Sequence, residues 1–234
     1  MNTPLLCLYD VSLYKEDLTY LEPYQWLNDQ LVSFFLHDIN YNKTPINSSN
    51  NYCNDNIITI DAAAGSWLRF CDDNDERQSF ASGIGLTETN YNNSHILMPI
   101  NNISHSNHGG SHWSLLYIFP KYNKVYHYDS SNGLNNIIAE NSTKEIATIL
   151  QLWNTNISLQ LIEQVKDIHI SCQQQSNSYD CGIYTILYAK KIINHIINNN
   201  NNNGIESIEW TGFNTEINSF RIEQINYLQT LIKK

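Results

Sequence analysis

The chain has 234 residues, and its 13 Lys and Arg against 23 Asp and Glu give a formal charge of 13 − 23 = −10. That balance excludes nucleic acid as a main partner, because phosphate recognition needs a cationic face. Five irregularly spaced cysteines without a C-x-x-C pair speak against a disulfide framework or a zinc ribbon, and a chain of this length buries on the order of 70% of its unfolded surface without such staples.

The N-terminal residues carry neither a basic stretch nor a long apolar run, and no segment approaches the ~18 apolar residues of a membrane span. The expectation is a soluble protein of the cytoplasm or nucleus that makes no membrane contact. Along the chain, Trp26, Leu27, Leu31, Phe34 and Phe35 recur at helical spacing, and Pro23 and Asn28 suit the start of that helix. Residues 40–56 are polar and read as a surface connection. A weaker helix is predicted over 61–71, followed by a second polar connection over 72–93. Short apolar runs over 96–100, 112–119 and 125–128 predict three strands, the last two joined as a hairpin by a turn around Tyr122 and Asn123. Helical spacing returns over 137–153, residues 159–165 alternate like a strand, and 182–197 is apolar on most sides, as a buried central helix would be. Six asparagines at 198–203, followed by Gly204, offer no apolar face and predict a solvent loop over 198–204. An amphipathic stretch over 217–232 closes the chain. Helices at both ends around a middle run of strands indicate an α+β fold, in one domain with Asn-rich loops.

Three segments concentrate chemistry: G-G-S-H-W at 109–113, Y-H-Y-D-S at 126–130 and Q-S-N-S-Y-D-C-G at 175–182. A nucleophilic cysteine acts as thiolate and needs a base nearby, helped by the positive end of a helix. Cys181 sits at the predicted start of the buried helix, where Gly182 would let a substrate carbonyl approach the backbone. Asp180 beside it opposes a thiolate, so its side chain is expected to turn into a helix cap or a buried bond. His112 on one strand and Asp129 at the end of the next can meet as base and orienting carboxylate. Gln175 is placed to offer an amide N–H to a developing oxyanion, together with the Cys181 backbone N–H. Each residue also has a plain alternative: a small buried thiol, a hydrogen-bonded histidine, a strand-end aspartate, a turn glutamine. His105, His108 and His127 are rival bases. No H-E-x-x-H or paired-ligand spacing occurs, so no metal site is expected.

Taken together, the order His, Asp, Gln, Cys within these motifs resembles the Ulp/sentrin-specific cysteine proteases, and within them the small deneddylases specific for a Nedd/Rub-type ubiquitin-like modifier. W-L-N-D at Trp26 to Asp29 extends the resemblance over most of the chain. The resemblance implies a papain-like architecture of the Ulp type, a central mixed sheet with a buried helix starting at the nucleophile. It implies Cys181 as nucleophile, His112 as general base and acid, Asp129 as its orienter and Gln175 as oxyanion donor. Trp26 and Trp113 match the tryptophans that close over the modifier's diglycine tail, and Asp29 matches a tail-contacting position. No cofactor is implied. The implied partner is a ubiquitin-like modifier and its conjugates, Nedd/Rub-type before SUMO, met by a monomer. A non-catalytic modifier-binding module and an acyltransferase with the same triad are the readings from other classes.

Overall fold

The computed structural model describes residues 3–42, 56–103, 110–163, 168–198, 205 and 208–233. An N-terminal hairpin, β1 (Leu6–Leu8) and β2 (Val11–Leu13), precedes α1 (Asp29–Tyr41), whose first turn is capped by the Asn28 side chain accepting from the Leu31 N–H. Then come β3 (Asn56–Thr59), α2 (Ala62–Leu68), α3 (Asn74–Gly83), β4 (Ser94–Asn101), β5 (Trp113–Phe119) and β6 (Lys124–Tyr128). The chain continues through α4 (Asn136–Gln151), α5 (Thr155–Glu163), β7 (His169–Ile170), α6 (Cys181–Asn198) and α7 (Asn214–Ile232).

The central sheet runs β3-β4-β5-β6-β7. Its inner pairs are antiparallel and its outer pairs, β3 with β4 and β6 with β7, are parallel, so the sheet is mixed. Alternation along β4 and β5 sends Ile96, Met98, Ile100, Leu116 and Ile118 to one face, where Ile146 and Ile149 of α4 meet them. Leu97, Leu115, Tyr117 and Phe119 go to the other, under α1, α6 and α7. With both faces covered, β4 is buried along its whole length, which is why its sequence reads as a continuous apolar run. α6 is the spine of the second layer. Its Ile183, Ile186, Ile192 and Ile193 are at most 1% exposed, each contributing about 1.5–3 kcal/mol of apolar burial.

The structure corrects the sequence reading in several places. The stretch 159–165 is not a strand: through Glu163 it is the latter half of α5, whose start is set by the Asn154 side chain accepting from the Asn156 N–H, and residues 164 and 165 lie outside the described set. The connection 72–93 contains α3, which buries only Ala81 and so shows no apolar stripe, although Asp73 caps it by accepting from the Asp75 and Glu76 N–H groups. Of the polar stretch 40–56, Asn40 and Tyr41 end α1 and Asn56 opens β3, while 43–55 lie outside the described residues. Likewise Asn198 ends α6, and 199–204 lie outside them. Strands β1, β2, β3 and β7 have two to four residues each and gave no readable period.

Candidate active site

Because β5 and β6 pair antiparallel, with Leu115 opposite Tyr128, the residue that enters β5 and the residue that leaves β6 come side by side. Those residues are His112, just ahead of the strand rather than on it, and Asp129. His112 Nε2–H donates to Asp129 Oδ1 at 2.6 Å, with both side chains at most 4% exposed. The carboxylate is held further by the Ser131 N–H on Oδ1 (2.7 Å) and the Asn135 N–H on Oδ2 (2.9 Å). With Nε2 engaged, Nδ1 is left for the Cys181 side chain, which lies near enough to act on the imidazole. Cys181 is the first residue of α6 and 2% exposed. Its position at a helix N-terminus, where backbone N–H groups lack intrahelical acceptors, favours negative charge.

The electrostatics follow from that triangle. Burial pulls the His112 imidazolium pKa down, but the hydrogen bonds and charges of Asp129 and Cys181 outweigh it and raise it to about 9. Burial works against ionised Asp129 too, and is overcome by the bond and charge of His112 and by the two backbone donors, which hold the carboxyl below its ordinary value. The site therefore favours an imidazolium–carboxylate pair beside the sulfur at neutral pH.

The aspartate next to the nucleophile is turned away. Asp180 Oδ1 accepts from Arg221 Nη2 at 2.9 Å and Oδ2 from Asn177 Nδ2 at 2.8 Å, so the expected buried bond, not a cap, takes it up. Gln175 is clamped at both ends. Its Oε1 accepts from Ser130 Oγ (2.7 Å), its backbone N–H donates to Ser130 O (2.8 Å), and its Nε2 donates to Asn177 O (2.5 Å). One amide hydrogen remains on Nε2 beyond that bond.

Trp26, Asp29, Trp113 and Cys181 line one cavity of about 580 Å³, together with Gly110, Ser111 and the start of α2. The two tryptophans are placed unequally. Trp113 is 7% exposed with its Nε1–H donating to Leu27 O at 2.9 Å, whereas Trp26 is 46% exposed at the cavity's edge. Gly110 passes so close to the Asn101 side chain that a Cβ there would collide with it. The rival His127 is buried between Ser114 Oγ (2.9 Å from Nε2) and His169 (3.1 Å between the Nδ1 atoms), and its pKa is lowered to about 4 by burial. His105 and His108 lie outside the described residues. Among the described residues no three His, Cys, Asp or Glu side chains are grouped to hold a metal ion.

Sequence reasoning missed the supports. Asn135 is fully buried, and its Nδ2 reaches Ser114 Oγ (3.0 Å), Ile100 O (3.2 Å) and His112 O (3.3 Å), fixing the backbone on which the histidine stands. Asn102 Oδ1 accepts from the Ser111 and His112 N–H groups at 2.6 and 3.1 Å. Among 34 asparagines nothing in the sequence distinguished these two.

The sequence model described as the Ulp1 protease family, C-terminal catalytic domain, matches residues 25–225, which span every element from α1 into α7. The chain belongs to the Ulp1 protease family. It is thus a thiol-dependent peptidase of the kind the motifs indicated. Among curated relatives, the probable sentrin-specific protease 8 of Dictyostelium discoideum is 29% identical over 215 residues, covering 87% of this chain and 81% of that protein. The NEDD8-specific protease 1 of Arabidopsis thaliana is 26% identical over 190 residues, covering 80% and 74%. Among solved structures, the C-terminal Ulp1 protease domain in complex with Smt3, the yeast orthologue of SUMO, superposes with a TM-score of 0.56 at 25% identity, covering 82% of this chain and 77% of that one. The architecture of this Ulp1-family chain is accordingly the mixed sheet with a buried helix that the resemblance implied.

Proposed function

We propose that this Ulp1-family protease is a deneddylase, cleaving after the C-terminal diglycine of a Nedd/Rub-type ubiquitin-like modifier, both in precursors and in isopeptide conjugates. The bond of His112 to Asp129, with Cys181 near enough to act on the imidazole, supports the chemistry; the name of the Arabidopsis relative supports the substrate. In this reading the Cys181 proton already rests on His112, and the thiolate of that ion pair attacks the carbonyl carbon of the last glycine. The tetrahedral oxyanion takes hydrogen bonds from the Cys181 backbone N–H and the remaining Gln175 amide hydrogen. Its collapse breaks the C–N bond, and His112 returns the proton to the leaving amine. Water, deprotonated by His112, then hydrolyses the thioester and frees the modifier's carboxylate. Asp129 holds the imidazole and stabilises its cation. Trp26 and Trp113 flank the tail, and Asp29 takes a basic group beside it.

The enzyme works as a monomer on proteins of the cytoplasm or nucleus, where the thiol stays reduced, and nucleic acid has no part in it. The test is side-by-side hydrolysis of Nedd/Rub-type modifier, SUMO and ubiquitin, each carrying a C-terminal fluorophore, with Cys181→Ala as control. Preferred release from the Nedd/Rub-type substrate, abolished by C181A with binding retained, is the expected result. Preference for SUMO moves the chain to the other branch of its family, a reading that its likeness to the Ulp1–Smt3 complex supports. Binding without turnover on any of the three leaves a modifier-binding module instead, and acylation by acyl-CoA would reassign the triad to transferase chemistry.

A further inference from the structure

Arg221 of α7 reaches between two segments that meet at the cavity. Its Nη1 donates to Tyr20 O (3.0 Å) and Glu22 O (3.1 Å), and its Nη2 donates to Gln25 O (2.7 Å), Tyr179 O (3.5 Å) and Asp180 Oδ1 (2.9 Å). The guanidinium is 11% exposed and its carboxylate partner 8%. The first three acceptors belong to the stretch that ends in Trp26, which has no regular structure between Glu22 and Asn28 to stiffen it. The last two belong to the peptide that leads into Cys181. The same junction holds Tyr24, a bulky residue at φ +67°, whose ring meets Tyr179 edge-on at 5.3 Å, while Arg221 lies 5.9 Å from the Tyr179 ring. From Asp180 the bonding continues through Asn177 to Gln175. One side chain therefore ties the cavity's exposed tryptophan to the nucleophile's peptide and, through it, to the oxyanion glutamine.

We propose that Arg221 is a positioning residue for the peptidase reaction, acting in two ways: it sets the width of the tail channel by anchoring the Trp26 segment, and it neutralises Asp180 beside the nucleophile. The inference rests on the peptidase reading above. The two roles draw on different properties of arginine. Anchoring five acceptors in two directions needs the planar fork, which a lysine lacks, whereas neutralising Asp180 needs only a positive charge. Taking the charge away leaves a poorly hydrated carboxylate one residue from the sulfur, where it opposes both thiolate and oxyanion.

These roles separate in three variants: R221K, R221Q and the double variant D180N/R221Q. The first measurement is KM and kcat on the fluorogenic modifier that the wild type cleaves best. The second is the pH profile of iodoacetamide alkylation at Cys181, read by mass on the peptide that carries it, whose midpoint reports the charge around the sulfur rather than the width of the tail channel. R221Q is expected to raise KM about tenfold through the misplaced channel wall, and to displace the alkylation profile about one pH unit to the alkaline side. R221K keeps the wild-type alkylation profile and still raises KM. D180N/R221Q returns the alkylation profile to that of the wild type while KM stays high. A purely structural arginine would depress every readout together and none would be restored by D180N. Wild-type KM in R221K overturns the anchoring role, and an alkylation profile that D180N fails to restore overturns the neutralising one. Should R221Q not fold, R221K decides the anchoring role, and the single variant D180N decides the other: an alkylation profile displaced to the acid side supports it, and an unchanged profile overturns it. If the wild type cleaves none of the modifiers, the peptidase reading has failed, and the alkylation arm still passes judgement on Arg221.

Discussion

At the scale of single residues the site depends on which effect wins at His112. Burial alone would lower its pKa, and Asp129 with Cys181 reverses the sign and brings it to about 9. Loss of the imidazolium then sets an alkaline limb of kcat/KM near pH 9. In D129N burial regains control, so the limb moves to lower pH, and turnover falls by about two orders of magnitude or more as the imidazole loses its orienting acceptor; a pH–rate profile of both proteins checks this. The tryptophans should differ as their exposure differs. W113A removes a buried ring and its bond to Leu27 O, costing about 3–5 kcal/mol, while W26A, half-exposed, stays within roughly 0.5 kcal/mol of wild type and acts on KM. Urea unfolding beside steady-state kinetics separates the two. A substrate ending Gly-Ala in place of Gly-Gly should be cleaved poorly by the wild type, because flat rings against a backbone leave no room for a Cβ; equal rates on the two endings would sink the channel.

At the scale of elements the decisive contact is between the start of α6 and the start of α1. Gly182 lies against Leu27, and an added Cβ would stand 3.0 Å from Leu27 Cβ and 3.3 Å from its Cδ1. Leu27 sits between Trp26 and the Asn28 cap, so any shift is passed to the channel wall and the helix start at once. G182A is expected to lower kcat/KM by about tenfold or more while destabilising by about 1–3 kcal/mol; a variant with wild-type kinetics and stability would show that the neighbour gives way freely. Elements also explain what was readable. α1, α4, α6 and α7 pack a wide apolar face and carry helical spacing over many residues, so the sequence displayed them, and the β5–β6 hairpin showed itself by its turn. The β1–β2 hairpin did not, because its turn residues Tyr9 and Asp10 have positive φ without being Gly or Asn. Tertiary contacts fix that turn instead: Tyr9 OH donates to Asp38 at 2.9 Å and its ring packs on Phe34 and Tyr41. The meeting of His112 and Asp129 was legible because both stand at the same end of a hairpin that the sequence displayed. Asn135, Asn102 and Arg221 were not, since their roles come from folding that brings distant chain together.

At the scale of the whole molecule, acid sensitivity has an identifiable source outside the triad. His127 is 1% exposed, held neutral between Ser114 and His169, with its pKa lowered from 6.5 to about 4. The unfolded chain binds its proton below about 6.5 and the folded chain only below about 4, so stability present above pH 6.5 is lost as pH falls through that window, by on the order of 3 kcal/mol. H127Q should flatten that part of the profile in denaturant titrations run at successive pH values. Retention of the full acid slope in H127Q would place the sensitivity elsewhere, as would loss of the slope in a variant far from the sheet.

The bonds that close the channel join remote stretches of chain. Trp113 reaches Leu27 across 86 positions, and Arg221 reaches Tyr20 across 201. Loops of that length are closed late and slowly, because their entropy must be overcome before the contacts reward it. Collapse of the sheet and of local helices can therefore run ahead of catalysis, and recovery of activity after dilution from denaturant should follow the slowest refolding phase rather than the return of helical signal. A chain of this protease in which those long-range bonds have yet to form would hold Cys181 without the cavity walls that Trp26 and Trp113 build beside it.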